Sequence, residues 1–194
     1  VAVSSRVNNP RDIPSHIADH RPETAWNGKT GDLAGAWIAF RVPSDARVGY
    51  LMLNAGFDKK TEKKDLFLEN HRIKKVRVLR DKKLLREVDL SPDVRGPQRI
   101  EIGTNGGDFK IEVLEVAPGT NRGWRELTVS ELAVFGQPGA HARAPGKLGP
   151  PVVNVGSLEL SEVPYNETAG ASYDVACKKF IEDDNAAADE STKG

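Results

Sequence analysis

The stretch "RIKKVRVLRDKKLLREVDL", residues 72–90, decides the class of fold. Apolar residues alternate with charged or polar ones on both sides of the triplet Asp-Lys-Lys at 81–83. The apolar positions of the two runs are Val76, Val78, Leu84, Val88 and Leu90. A period of two is typical of a strand with one buried face, and a polar turn between two such runs is typical of a hairpin. The sequence therefore predicts a β-hairpin with a strongly cationic outer face.

The same kind of pattern extends in both directions, from residue 36 to residue 136. Short apolar runs alternate with turn-forming residues, and turns are expected at 43–46 and 105–107. The run at 46–52 is apolar on both faces, which favours a central strand, and the last strand is expected at 126–136. No spacing calls for a crossover helix, so we predict an all-β fold of about eight strands.

Composition excludes several classes of protein. The net charge is zero, so no overall basic field favours nucleic acid. The single cysteine, Cys177, excludes an intramolecular disulfide and a cysteine-rich metal site. No apolar run approaches the roughly 20 residues that span a bilayer. Because the sequence begins at Val1 rather than Met, we expect a mature or excised fragment whose targeting signal has been removed.

The composition changes after the predicted sandwich, which we place at residues 1–137. Residues 138–151 are rich in proline and glycine, which is typical of a linker. We expect residues 152–194 to be a C-terminal extension with a short amphipathic helix and a disordered acidic end. A short helix is marginal in water, so this one is expected to dock on something, for instance a partner protein.

Six groups of residues occur in an order that identifies a family. They are Asp19, Thr24-Ala25-Trp26, Trp37-Ile38, Asn54, Asn70 with Arg72 and Lys74, and Ser130-Glu131-Leu132. The set resembles the discoidin-like family of coagulation-factor C-type domains, which have a galactose-binding-like fold, and within it the glycan-binding domains of NADase type. The resemblance implies a jelly-roll β-sandwich of about eight strands. Such sandwiches carry binding sites for glycans, lipids or proteins.

The resemblance also implies one metal site, a structural calcium. Its ligands here would be Asp19 and Glu131, with backbone oxygens near Arg21 and Thr24. Calcium takes six to eight oxygens, so the sequence names only part of a shell. His20 stands where the family often has glycine, which makes a tight turn harder. The alternative is that Asp19 holds the turn by bonding Thr24, and that Glu131 meets a buried donor.

Two loops are the candidates for ligand binding. The loop at 117–126 places Trp124 among hydrogen-bonding side chains, and Asn121 and Arg122 flank it. The longer loop at 54–72 supplies four more candidates, Asn54, Phe57, Asn70 and Arg72. The structural alternatives stay open: Trp124 may simply pack, and the asparagines may cap strand ends.

Trp26 and Trp37 are expected to pack at the foot of the sandwich, since each adjoins an apolar strand. Nothing in the sequence forms a nucleophile elbow, a histidine metal pair or a phosphate-binding glycine loop. The sequence therefore favours a non-catalytic carbohydrate-binding module of an exported or cell-envelope protein, periplasmic or at the cell surface. The alternatives are a protein-interaction or adhesion module without a sugar site, and a membrane-surface module built on Phe57, Phe67 and the loop lysines.

Overall fold

A computed structural model describes residues 1–140. Most of the predicted linker, the predicted short helix and the predicted acidic end lie outside these residues. The described part consists of strands in antiparallel sheets with two short helical turns, which confirms the all-β prediction. Its elements are β1 (Ala2–Val3), a 3-10 helix (Pro14–Ala18), β2 (Trp26–Asn27), β3 (Trp37–Asn54), α1 (Leu66–Glu69), β4 (Arg72–Arg80), β5 (Lys83–Asp89), β6 (Pro97–Ala117), β7 (Thr128–Val129) and β8 (Leu132–Gln137).

The main sheet has the strand order β1-β3-β6-β4-β5, and β8 also pairs with β3. β2 and β7 form a separate two-stranded ribbon. β3 is central, as its apolar faces predict, because it has β6 on one side and both β1 and β8 on the other. The β4–β5 hairpin is confirmed: Asp81 and Lys82 adopt left-handed φ values of 50° and 65° in its turn. That geometry suits the right-handed twist of a two-residue hairpin.

The turns predicted at 43–46 and 105–107 are wrong. β3 and β6 each run through these positions without a break, and the pairing shifts there from Val42↔Gly107 to Arg47↔Asn105. The two turn-like segments face each other, so the paired strands bend together at a β-bulge. A Cβ at Gly106 would lie 1.8 Å from the Pro43 carbonyl oxygen, so only glycine lets the backbones approach so closely.

Alternate side chains of β3 and β6 are buried and form the core between the sheets. Ile38, Phe40 and Val42 face Phe109 and Ile111, and all five are 5% exposed or less. Phe40 and Phe109 are cross-strand partners whose rings stack at 5.3 Å. Stacked aromatic pairs add stability beyond the area that they bury. Trp26 is fully buried and Trp37 is 9% exposed, which confirms that both pack in the sandwich.

Two further expectations need correction. The predicted last strand divides into β7, which pairs with β2, and β8, which pairs with β3. Leu84 was expected on the inner face of the hairpin but is 57% exposed, since the register of β4 and β5 shifts beside it. The cationic outer face is also partly neutralised, because Arg77 binds Glu112 through two hydrogen bonds and Lys75 pairs with Glu87 at 3.2 Å.

Candidate functional site

A cleft of about 730 Å³ opens where the loop at 57–70 meets the loop around Trp124. The N-terminal segment before the 3-10 helix forms its opposite wall, and β2 contributes to it as well. The lining residues are Val7, Asn9, Pro10, Arg11, Asp12, His16, Glu23, Thr24, Asn27, Phe57, Lys59, Leu66, Asn70, Trp124 and Glu126. Its volume is in the range of small-molecule sites on proteins.

The Trp124 wall is held by a compact turn. The Asn121 side chain accepts a hydrogen bond from the Gly123 amide at 3.0 Å, and the Asn121 carbonyl accepts one from the Trp124 amide at 3.1 Å. Trp124 remains partly exposed, and the Lys64 ammonium lies 5.0 Å from the centre of its ring. Because hydrogen bonds within the turn fix the backbone at Trp124, a ligand that contacts the indole has little loop entropy to lose.

The two loops are packed against each other. The Thr120 amide donates to the Leu68 carbonyl at 2.9 Å. A Cβ at Gly119 would lie 2.0 Å from the Glu69 carbonyl oxygen, so glycine is required where the backbones cross. Since neither loop can move without the other, the cleft is a preformed feature of the sandwich.

Arg95 fastens the outer part of the longer loop. Its guanidinium donates to Asp65 at 2.7 Å and to Asp58 at 3.1 Å, and it lies 4.7 Å from the centre of the Phe67 ring. The hydrogen bond from Arg95 lowers the pKa of Asp65. Asp65 also caps α1 by accepting from the Leu68 amide, so one carboxylate joins the helix to the arginine.

The N-terminal wall is the part of the site that sequence reasoning missed. The Asn9 side chain accepts from the Arg11 amide at 3.1 Å and donates to the Asp12 carboxylate. Burial raises the pKa of Asp12, although Asn9 and nearby cations oppose the rise. The signal was the segment "NNPRD" at 8–12, since Asn before Pro and Asp is typical of a side-chain-closed turn.

The β2–β7 ribbon beneath the cleft has polar atoms without partners in the described residues. They are Asn27 Oδ1, Thr128 Oγ1 and, on the adjoining segment, His71 Nδ1. Asn27 and Thr128 are cross-strand partners, so their side chains share one side of the ribbon. Burial lowers the pKa of His71, which favours its neutral form. Asn27 lines the cleft, but its Oδ1 is buried beneath the surface.

The structure places the seven predicted ligand residues in different environments. Phe57, Asn70 and Trp124 line the cleft. Asn54 lines a separate, mostly apolar pocket of about 420 Å³. Arg72, Asn121 and Arg122 line neither. Phe57 and Asn70 are buried at the cleft wall, with 7% and 4% exposure, whereas Trp124 is partly exposed. Asn121 shapes the Trp124 turn.

Arg72 has a structural role. It is 7% exposed, and its guanidinium donates to the carbonyls of Phe67 at 3.0 Å, Leu68 at 3.2 Å and Pro118 at 3.4 Å. It therefore binds both loops from below. A buried guanidinium needs such partners, since leaving it unpaired would cost several kcal/mol.

The predicted calcium ligands Asp19, Thr24 and Glu131 do meet, in a turn closed by hydrogen bonds. The Thr24 hydroxyl donates to Asp19 at 2.7 Å, and the Arg21 amide donates to Asp19 at 3.0 Å and to Glu131 at 2.7 Å. His20 adopts a left-handed φ of 59° to make this turn. A residue with a Cβ is strained in this conformation. The sequence predicts that strain, because His20 stands where the family often has glycine.

Glu131 is the most perturbed carboxyl of this turn. Burial, with the neighbouring Asp19 carboxylate adding to it, raises the pKa of Glu131 to about 8 although the Arg21 amide opposes the rise. The candidate calcium ligands of this turn are all oxygen atoms, which calcium prefers, but they number fewer than six. Residues 1–140 hold no cluster of three or more His, Cys, Asp or Glu side chains suited to a metal ion.

The strands and their order define a discoidin-like β-sandwich. The chain belongs to the family described as the NAD glycohydrolase translocation F5/8 type C domain, whose model matches residues 1–135. No curated protein matches the chain.

Solved structures agree on the fold. The third CBM32 domain of a family 31 glycoside hydrolase from Clostridium perfringens has a TM-score of 0.55 and 15% identity, covering 71% of this chain and 89% of that one. A structure of the CBM32-1, CBM32-2 and M60 catalytic domains of ZmpB, also from Clostridium perfringens, has a TM-score of 0.51 and 12% identity over 68% of this chain and 13% of that one.

The translocation domain of the Streptococcus pyogenes NAD+-glycohydrolase shares 24% identity over 54% of this chain and 89% of that one. Its TM-score of 0.39 is too low to bear on the fold. In the part of the chain that the structure covers, no helix is long and apolar enough to cross a membrane.

Proposed function

We propose that the chain is a non-catalytic carbohydrate-binding module of an exported or cell-envelope protein, and that the cleft beside Trp124 binds the saccharide. The observation that supports this most is the partly exposed Trp124 ring on a preformed cleft. An indole face suits the C–H face of a pyranose ring, and polar side chains around it can bond the hydroxyls. The CBM32 neighbours support the same class of ligand.

The alternative for Trp124 is that it only packs against its neighbours. The contrast with the other two tryptophans argues against this, because Trp26 and Trp37 are buried in the sandwich whereas Trp124 is not. A large aromatic left partly exposed in a cleft is typical of a recognition anchor.

A glycan array followed by calorimetry with the full chain tests the proposal. Trp124→Ala should weaken saccharide binding by about tenfold or more, as loss of a stacking anchor does. Tyr50→Ala is the matched control, since Tyr50 is a partly exposed aromatic that lies outside the cleft and stacks on Phe135 at 4.7 Å. Absence of any saccharide binding by the native chain would overturn the proposal.

A structural calcium at the Asp19–Glu131 turn is a separate proposal. The converging carboxyl groups support it, because bound calcium would offset both the burial and the nearby Asp19 carboxylate that raise the pKa of Glu131. Calcium should then raise the melting temperature of the native chain and leave that of Glu131→Gln unchanged. If both proteins respond equally, or neither does, the ion is not held here.

The exposed edge of β5 favours a second candidate function, docking of a partner protein. Leu84 and Leu85 are 57% and 36% exposed on a strand that has a neighbour on one side only within residues 1–140. Such edges pair readily with another chain. Leu84→Ser with Leu85→Ser should abolish capture of a partner from the native extracellular medium while leaving saccharide binding intact; unchanged capture would remove this candidate.

A further inference from the structure

His16 lies on the cleft and uses one of its two ring nitrogens inside the protein. It belongs to the 3-10 helix Pro14–Ala18 and lines the cleft wall. Its Nδ1 atom lies 3.3 Å from the Ala25 carbonyl oxygen. A carbonyl oxygen can only accept, so Nδ1 carries a proton and donates it. In the neutral ring, Nε2 is then left as a hydrogen-bond acceptor.

The imidazole ring is held in a fixed orientation. The His16 amide donates to the Ile13 carbonyl at 3.1 Å, and the neighbouring Ile17 is fully buried, which anchors the helix. Ala25 is also fully buried and comes directly before β2, so the Nδ1 hydrogen bond joins the helix to that strand. The orientation of Nε2 is therefore set before a ligand binds, and little side-chain entropy is lost on binding.

The Nε2 atom of His16 differs from the unpartnered atoms of the ribbon beneath the cleft. Asn27 Oδ1 and Thr128 Oγ1 are buried, so a ligand in the cleft does not reach them. The His16 ring is only half-buried, and Nε2 is not one of the buried atoms that lack a partner. Within residues 1–140, Nε2 also takes part in no hydrogen bond. It is thus an acceptor that reaches the surface of the cleft.

The charged groups around His16 add further acceptors to the cleft. Asp12, Glu23 and Glu126 line it, and each carboxylate already accepts a hydrogen bond within the protein. Asp12 interacts electrostatically with His16, but its hydrogen bond comes from Asn9. The cations of the lining also act on Asp12. A wall with this many acceptors is complementary to a ligand that donates, and a sugar hydroxyl can donate.

We infer that His16 Nε2 accepts a hydrogen bond from one hydroxyl of the bound saccharide, and that this contact determines which hydroxyl pattern the cleft prefers. The inference rests on the proposed saccharide binding at the same cleft and names a specificity-determining residue for it. Stacking on Trp124 recognises a pyranose face but distinguishes hydroxyl positions poorly. A site that hydrogen-bonds a hydroxyl rejects the analogue without it, because the polar group of the site is then left unpartnered.

Analogues of simple sugars test for such a hydroxyl. We would titrate the full chain with the methyl glycosides of galactose, glucose and mannose, and with their monodeoxy and mono-O-methyl derivatives. A deoxy sugar lacks the hydroxyl, and an O-methyl sugar keeps the oxygen but has no proton to donate. Both changes at one ring position should weaken binding about fivefold, as expected for the net worth of one hydrogen bond.

Two variants separate the roles of the two ring nitrogens. His16→Asn keeps a donor for the Ala25 carbonyl but has no atom at the position of Nε2. It should bind the parent glycoside about fivefold more weakly and lose the sensitivity to that hydroxyl. His16→Gln reaches the position of Nε2 with an amide oxygen that can accept, so it should keep most of the affinity. The matched control is His20→Asn, which changes a histidine outside the cleft and should bind as the native chain does.

NMR of the native chain tests the contact without any substitution. In long-range proton–nitrogen spectra, the Nε2 signal of His16 should move as a saccharide saturates the protein, and the Nδ1 signal should stay in place. An unmoved Nε2 signal overturns the inference, and so does an equal hydroxyl preference in the native chain and in folded His16→Asn. Trp124-dependent binding alongside either result leaves the proposed function standing. Absence of binding to every glycoside and to every saccharide of a glycan array overturns both.

Discussion

The Asp19–Glu131 turn and the Trp124 cleft are both polar, yet their polar atoms are used in opposite ways. In the turn, the carboxylates accept from the Thr24 hydroxyl and the Arg21 amide. In the cleft, Lys59 has no ion pair among residues 1–140, and the ring of Trp124 is partly exposed. Closed hydrogen-bond networks hold a fold in place, whereas exposed groups on a concave surface are available to a ligand. The turn therefore stabilises the sandwich, and recognition is the role that we propose for the cleft.

The largest effect should come from opening the turn. Asp19→Ala removes one acceptor of the Thr24 hydroxyl, which also reaches the Arg21 carbonyl at 2.8 Å, and one acceptor of the Arg21 amide. We expect the free energy of unfolding to fall by about 2 kcal/mol, the sum of two such bonds with one charged partner. Urea unfolding measures this.

The matched control for that change is Asp93→Ala, an exposed acid elsewhere, which should change stability by less than about 0.5 kcal/mol. Saccharide affinity at 25 °C should be unchanged in both variants. A loss of saccharide affinity in folded Asp19→Ala would show that the turn also contributes to binding, against the separation of roles between the two regions.

The pH dependence of stability is the next effect in size. Glu131 has a folded-state pKa of about 8 against an ordinary value of 4.5, so the folded protein binds more protons than the unfolded chain between these values. The contribution of Glu131 to stability should therefore be fully present below about pH 4.5 and decline as pH rises through 8 when calcium is absent.

Glu131→Gln measures that contribution directly. It removes the titrating group and keeps the shape, so the decline between pH 5 and pH 9 should flatten. Unfolding midpoints in chelator-treated buffer across this range give the result. An equal decline in native protein and variant would show that other groups cause it.

The smallest effect separates two asparagines of the cleft. Asn70 donates to the Leu66 carbonyl at 2.9 Å, so Asn70→Ala should lower stability by about 1 kcal/mol. Asn27 Oδ1 has no partner among residues 1–140, so Asn27→Ala should leave stability within about 0.5 kcal/mol. Calorimetry and urea unfolding on both variants give the comparison, and a marked destabilisation by Asn27→Ala would mean that its side chain is structural.

The sequence predicted what depends on local alternation. Val76 and Val78 marked the hairpin strand, and both are fully buried. Prediction from the sequence failed where pairing between distant segments overrides a local preference for a turn. Residues 43–46 and 105–107 have turn composition, but their mutual pairing turns them into a shared bend. Only the folded sheet brings these distant segments together, so neither segment alone carries that information.

The candidate site divides in the same way. The two loops and Trp124 were identified because their length and composition are unusual for connections between strands. The wall from Asn9 to Asp12 was missed, because it joins the cleft only through the packing of the N-terminal segment beside β2. Arginine is a residue type that often binds ligands, which is why Arg72 was a candidate. The three carbonyls around its guanidinium come from two separate loops, so only the folded structure shows its structural role.

The three tryptophans of the chain offer the most direct test of the central claim, that the cleft beside Trp124 binds a saccharide. In an NMR titration of the full chain with a saccharide selected by the glycan array, the three indole N–H signals report on three known positions. We expect the Trp124 signal, assigned from Trp124→Ala, to shift with saturation, and the signals of the buried Trp26 and Trp37 to stay in place. Saturating binding that leaves the Trp124 signal unmoved would contradict the claim.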